Sequence, residues 1–244
     1  MFIIRFYFQP ALFMSFIPDG RQVFDIEIEA LQDVRSRIDE QFDRACELIK
    51  GCSGRVVVTG MGKSGHIANK IAASLASTGT PSFYVHPGEA SHGDLGMITP
   101  QDIVIALSNS GTTPEILTIV PIVKRMGVRL ISLTGNPESE LARSSDAHLD
   151  VGVLREACPH NLAPTASTTT ALAMGDALAV AVLQSRGFSA DDFARTHPGG
   201  ALGKRLLLYV TDIMHSGDEV PLVEESASFG DVSVSYTHLR AHET

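Results

Sequence analysis

The segment Ser108-Asn109-Ser110-Gly111-Thr112-Thr113-Pro114-Glu115 sets hydroxyls, an amide, a glycine and a carboxylate between two apolar stretches. Ile103 to Leu107 reads as a buried strand, and Ile116 to Met126 as a helix. The polar residues therefore fall where a strand hands over to a helix N-terminus. Such a terminus offers unpaired N–H groups and the positive end of a dipole, so it favours an anion. A phosphate cradle with a carboxylate one turn away implies acid–base chemistry on a phosphorylated metabolite. A plainer account of Glu115 stands beside this one: Thr112 or Thr113 caps the helix, Pro114 takes its first position, and an acid in the first turn complements the dipole.

Two further cradles follow the same logic. Gly60-Met61-Gly62-Lys63-Ser64-Gly65 has the spacing of a dinucleotide fingerprint, but the acid expected about 20 positions on is replaced by Val85 and His86. What remains is a glycine turn before a helix, with Lys63 at its mouth. Thr165-Ala166-Ser167-Thr168-Thr169-Thr170 carries five hydroxyls in six residues, more than one helix cap requires, and would suit a sugar phosphate. His86-Pro87-Gly88-Glu89-Ala90-Ser91-His92-Gly93-Asp94 could hold a metal, yet no fixed spacing supports one, and substrate contact is the preferred reading. His197, in Thr196-His197-Pro198-Gly199-Gly200, is placed at a surface by its rigid neighbours. Glu156, in Arg155-Glu156-Ala157-Cys158-Pro159, is the second carboxylate that burial could tune into a base.

These loops need a scaffold, and the chain alternates strands with helices. Val56 to Thr59, Ser82 to Val85, Ile103 to Leu107, Leu130 to Leu133 and Ala147 to Val153 read as five strands. Helices are expected after Gly62, at Ile116 to Met126, at Ala166 to Arg186 and at Ala190 to Arg195, with Gly79 ending the first. Phe24, Ile28, Leu31, Ile38, Phe42, Ala45 and Ile49 mark one long amphipathic helix over residues 24 to 50. The expected fold is α/β, a three-layer αβα sandwich around a five-stranded parallel sheet, with ligands at the strands' carboxyl ends.

Composition narrows the function. With 244 residues, 44% hydrophobic and 19% charged, the chain can bury a sizeable core. A net charge of −9 argues against nucleic acid as a partner. Three unpaired cysteines, Cys46, Cys52 and Cys158, fit a reducing cytoplasm. Residues 1 to 23 are expected to be an extension outside the fold, with Met14 as the true start. Their apolar run is interrupted by Arg5, Gln9 and Pro10 and falls short of the roughly 20 residues a membrane span needs. Residues 210 to 232 read as the opening of a further module. Residues 233 to 244 lack a periodic apolar pattern and are expected to be a non-native tail.

Taken in order, Gly60 to His66, His86 to Ala90, His92-Gly93-Asp94-Leu95-Gly96-Met97, Ser108 to Gly111, Glu156 to Pro159, Leu162 to Thr165 and His197-Pro198-Gly199-Gly200-Ala201-Leu202-Gly203 resemble the bacterial D-arabinose-5-phosphate isomerases, which are SIS-domain proteins. The resemblance runs from about Phe24 to Val232. Residues 24 to 209 would form the SIS domain, and 210 to 232 the truncated start of a CBS module. It implies interconversion of D-ribulose 5-phosphate and D-arabinose 5-phosphate, the first step toward the lipopolysaccharide sugar Kdo. It further implies a homotetramer with sites shared between subunits, no required cofactor, and an inhibitory zinc at His86. By resemblance the catalytic positions are Lys63, Glu115, Glu156 and His197. The candidate substrate contacts are Gly62, Ser64, Gly79, Thr80, His86, His92, Ser108, Asn109, Ser110, Thr113, Thr165, Ser167 and Thr168. One departure is Thr112-Thr113-Pro114 after Ser-Asn-Ser-Gly, where the family carries Glu or Ser.

The chemistry expected is removal of a proton alpha to a carbonyl and its return to the adjacent carbon, through a cis-enediolate. Either Glu115 or Glu156 would be the base, and Lys63 would offset charge on the enediolate oxygen. His197 would aid ring opening or move protons between oxygens. Two rivals are a sugar-phosphate sensor that binds without turnover and an isomerase of another phosphosugar. The sensor is disfavoured because residues 1 to 50 offer no basic recognition helix.

Overall fold

The computed structural model describes residues 15–196, 209, 211, 214, 220 and 223–240. The chain divides into two compact units, Met1–Phe188 and Ser189–Thr244.

The first unit is built on strands β1 (Val56–Gly60), β2 (Ser82–Val85), β3 (Ile103–Leu107), β4 (Arg129–Thr134) and β5 (Ala147–Asp150). All pair in parallel in the order β2-β1-β3-β4-β5. Every residue of β1 and β3 is buried, as strands covered on both faces must be. Successive residues serve opposite layers. Val56, Val58, Ile105 and Leu133 pack with Ile49 of α2 (Glu40–Lys50), Ile71 and Leu75 of α3 (Gly62–Ser77) and Leu178 of α7 (Ala166–Ser185). Val57, Val104 and Leu130 pack with α4 (Pro87–Ala90), α5 (Pro114–Arg125) and α6 (Glu140–Ser144), through residues such as Ala90, Ile116, Ile119 and Leu141. The expected three layers and five parallel strands are therefore present. α7 is long and apolar enough to cross a membrane by length and composition; its apolar side chains Leu178 and Val182 are fully buried in the core.

The long helix expected over residues 24 to 50 is two helices. α1 (Ile17–Ser36) ends before Arg37, and Asp39 caps α2 by accepting from the Gln41 N–H at 2.9 Å. α1 also begins at Ile17, so the boundary expected at residue 24 falls inside it. Its inner face, Ile26 and Ala30, packs on Ala166 at the start of α7. β5 stops at Asp150, three residues short of expectation.

The second unit holds α8 (Ala190–Thr196) and α9 (Phe229–Arg240). α9 runs through the boundary expected at residue 233. It starts from a reciprocal cap in which Ser228 N–H donates to Asp231 at 3.1 Å and Asp231 N–H to the Ser228 hydroxyl at 3.3 Å. Ten residues of the segment expected to open a CBS module, 210 to 232, lie outside the described residues.

Asp146 fastens the outer strands. Its carboxylate accepts from Leu130 N–H at 2.9 Å, Arg129 at 2.9 Å and Lys124 at 3.3 Å, and its carbonyl takes the Arg44 Nε. Burial pushes this carboxyl up, but the Leu130 N–H and the two cations outweigh burial and hold it below the usual carboxylate range. A depressed folded pKa contributes stability that is present above the unfolded value, about 3.9, and is lost as pH falls through the folded one. Asp146→Asn should therefore cost about 1–2 kcal/mol at pH 7, since both cations are partly exposed. Urea midpoints check this: the gap between variant and parent should narrow as pH falls below about 4.

Candidate active site

The strand order reverses direction between β1 and β3, and there the chain leaves toward opposite faces, into α3 and α5. Loops at such a point open a crevice at the strands' carboxyl ends. Lys63 is the second residue of α3 and Glu115 the second residue of α5, so the two flank this crevice. Neither helix has a side-chain cap on its first turn; in α5 Pro114 has no N–H and the Ile116 N–H donates to the Thr113 carbonyl at 3.1 Å, so Glu115 N–H is the first-turn donor open to an anion. Lys63 is exposed and Glu115 half-buried, and neither has a hydrogen-bond or ion-pair partner among the described residues.

The β1–α3 turn is shaped by close approach. A Cβ on Gly60 would lie 2.8 Å from the Ser64 carbonyl, and one on Gly65 would lie 2.7 Å from the Gly60 carbonyl, which also accepts from the Tyr84 hydroxyl at 2.9 Å. The fingerprint-like glycines thus let strand and helix touch, and Gly62 opens the helix between them.

The β3–α5 loop is tied to itself. The buried Ser108 hydroxyl accepts from Gly111 N–H at 3.0 Å and shares a 2.7 Å bond with the Thr113 hydroxyl. The Ser110 hydroxyl accepts from Thr112 N–H at 3.2 Å. Gly111 has φ +67°, and a Cβ there would sit 2.0 Å from the Ser139 hydroxyl oxygen. Ser139 is itself buried and caps α6. Ser64, Ser108, Asn109, Ser167 and Thr168 line one open cleft, so five of the expected substrate contacts share a wall.

Glu156 and Thr165 meet differently. Glu156 Oε2 accepts from Thr165 N–H at 2.8 Å, Thr165 Oγ1 at 3.0 Å and Ser167 N–H at 3.1 Å. Partial burial pushes the Glu156 carboxyl up, but the bonds from Ser167 and Thr165 outweigh it and hold the carboxyl below its ordinary range. The Thr165 hydroxyl also accepts from Ala157 N–H at 2.8 Å, so it is committed to protein. The N-terminus of α7 therefore already holds an anion, the Glu156 carboxylate.

His86 follows β2 and caps α4, its Nδ1 accepting from Gly88 N–H at 3.2 Å. His92 is exposed in the turn beyond α4. Among the described residues no three of His, Cys, Asp and Glu gather into a metal site. Gly79 and Thr80 precede β2 and stand at its amino end, away from the crevice, within one chain. Gly79 makes the turn at φ +86°, and the buried Thr80 hydroxyl accepts from Arg186 at 2.9 Å. His197 lies outside the described residues. Sequence reasoning missed Ser139 and Tyr84. Ser139 carried a signal, a serine just before a short helical stretch in Pro137-Glu138-Ser139-Glu140-Leu141. Tyr84 carried none.

Comparison with known proteins agrees with this fold. Residues 50–181 match the SIS domain. Arabinose 5-phosphate isomerase KdsD of Escherichia coli K12 is 60% identical over 218 residues, 89% of this chain and 66% of the relative. The Yersinia pestis enzyme of the same name is 58% identical over 224 residues, 92% of this chain and 68% of the relative. The chain thus spans about two thirds of the length of these relatives. Among solved structures, the c3406 protein of E. coli CFT073 in complex with arabinose 5-phosphate superposes with a TM-score of 0.74 at 43% identity, covering 76% of this chain and all of the other.

Proposed function

The chain belongs to the SIS-domain family and, within it, to the arabinose 5-phosphate isomerases, and from that membership we propose that it interconverts D-ribulose 5-phosphate and D-arabinose 5-phosphate. The observation that carries the proposal is the crevice between β1 and β3, with a cation, a carboxylate and two uncapped helix N-termini on its rim. The phosphate docks on the first turn of α5 with Ser110 and Thr113, because α7's corresponding donors are held by Glu156. Glu115 takes a proton from C1 of the open-chain ketose and returns it to C2. Both its oxygens are free of protein donors among the described residues, as a base requires. Lys63 faces the developing charge on the enediolate oxygen, where a positioned cation counts most. Delivery of the proton to one face of C2 makes the arabino rather than the ribo epimer. Ser64, Ser108, Asn109, Ser167 and Thr168 hold the sugar hydroxyls. His197 and His92 keep the roles that resemblance gives them, in ring opening and substrate contact.

The setting proposed with this activity is the cytoplasm, supply of Kdo synthesis, and a homotetramer with shared sites. Sharing would give Gly79 and His86 a route to a neighbouring subunit's substrate. The test is incubation of pure protein with ribulose 5-phosphate and, separately, with a hexulose 6-phosphate. Conversion of the pentulose alone supports the proposal; binding of both without conversion overturns it in favour of a sensor.

A further inference from the structure

We infer that Glu156 is a positioning residue: it holds the first turn of α7, and with it Ser167 and Thr168, against the substrate cleft, and takes no proton from the sugar. The inference rests on the isomerase reading for its kinetic test, and on geometry for its content. A single carboxylate oxygen, Oε2, carries three donors, two of them backbone N–H groups at the start of α7. Thr165, the residue before that helix, makes no side-chain cap, so Glu156 supplies from a distance of nine residues what a cap would supply locally. The loop is closed at its other end as well. Glu156 N–H donates to Asn161 Oδ1 at 2.6 Å, and Asn161 makes the turn at φ +55°, a conformation that Asn adopts more readily than other non-glycine residues. Ala157 N–H adds the bond to Thr165 Oγ1 at 2.8 Å.

The bonding of Oε2 favours a holding role over that of a base. A general base must reach the proton directly or through one water. Glu156 also lines the cleft between α1 and its own loop, with Gln22, Ile26 and Cys158. Oε2 already accepts three hydrogen bonds, which leaves Oε1 as the one oxygen that could take a proton. Ser167, one of the residues Glu156 grips, and Thr168, the next in the chain, both line the substrate cleft.

Two variants and two readouts decide it. Glu156→Gln keeps a carbonyl oxygen able to accept from Thr165 and Ser167, whereas Glu156→Ala does not. Positioning predicts that Glu156→Gln lowers kcat less than about tenfold, the scale of one weakened hydrogen bond, with KM for ribulose 5-phosphate rising more than kcat falls. It predicts that Glu156→Ala raises KM further and speeds amide hydrogen exchange over residues 165 to 169, with Gln restoring protection. The inference is overturned if both variants lose about 10²–10⁴-fold in kcat at unchanged KM and unchanged amide protection, the pattern of a lost base. Should the parent protein fail to convert ribulose 5-phosphate, the isomerase reading falls. Amide exchange alone then shows whether Glu156 holds α7.

Discussion

Glu115→Gln should lower turnover of ribulose 5-phosphate by about 10²–10⁴-fold, the usual cost of losing a positioned base, with little change in KM. The substitution is nearly isosteric, and the side chain it alters has no hydrogen-bond partner among the described residues, so nothing else is pulled apart. The structural loss is confined to a negative charge in the first turn of α5, about 0.3–1 kcal/mol through the helix dipole. A melting temperature close to the parent's beside a collapsed kcat separates chemistry from folding. Near-normal turnover in this variant would remove Glu115 from the mechanism.

Gly111→Ala should be the most damaging single methyl group in the loop. The backbone there is left-handed at φ +67°, and the new Cβ would fall 2.0 Å from Ser139 Oγ and 2.3 Å from Ser139 Cβ. Ser139 cannot swing away without cost, because it is buried and its hydroxyl accepts from Ala142 N–H at 3.3 Å to cap α6. Backbone strain and overpacking together should destabilise by about 2–5 kcal/mol. The Ser108 hydroxyl would lose the Gly111 N–H that orients it, so KM should rise in whatever protein remains folded. Adding Ser139→Gly to Gly111→Ala should relieve the clash but not the φ penalty, a partial rescue visible in urea midpoints. Full stability in the single variant would show that the loop is not held as described.

How much of this was legible in the chain follows from what each element buries. β1 and β3 are covered on both faces, and so appear as unbroken apolar runs that periodicity can find. α4 and α6 span four and five residues, too few for any helical period to register. The break between α1 and α2 was hidden because the apolar stripe keeps its spacing across it, and only Asp39, a cap, marks the new start. α9 was hidden for the opposite reason: it lacks an apolar stripe, and its evidence is the Ser228–Asp231 cap. The cradles after β1 and β3 were legible as helix N-termini, and both are uncapped. The third was misread in one respect. Sequence shows five hydroxyls but not that a glutamate nine residues earlier occupies the helix end, because that pairing depends on how the intervening loop folds back. The same fold consumes the Thr165 hydroxyl, which composition alone would count as free for a ligand.

The central claim is isomerisation by proton transfer between adjacent carbons, and NMR of ribulose 5-phosphate with the protein in D₂O addresses it most directly. The account predicts arabinose 5-phosphate bearing deuterium at C2, from a base that exchanges with solvent between the two steps. Unchanged ketose, with no deuterium at C1 and binding still detectable, would contradict it.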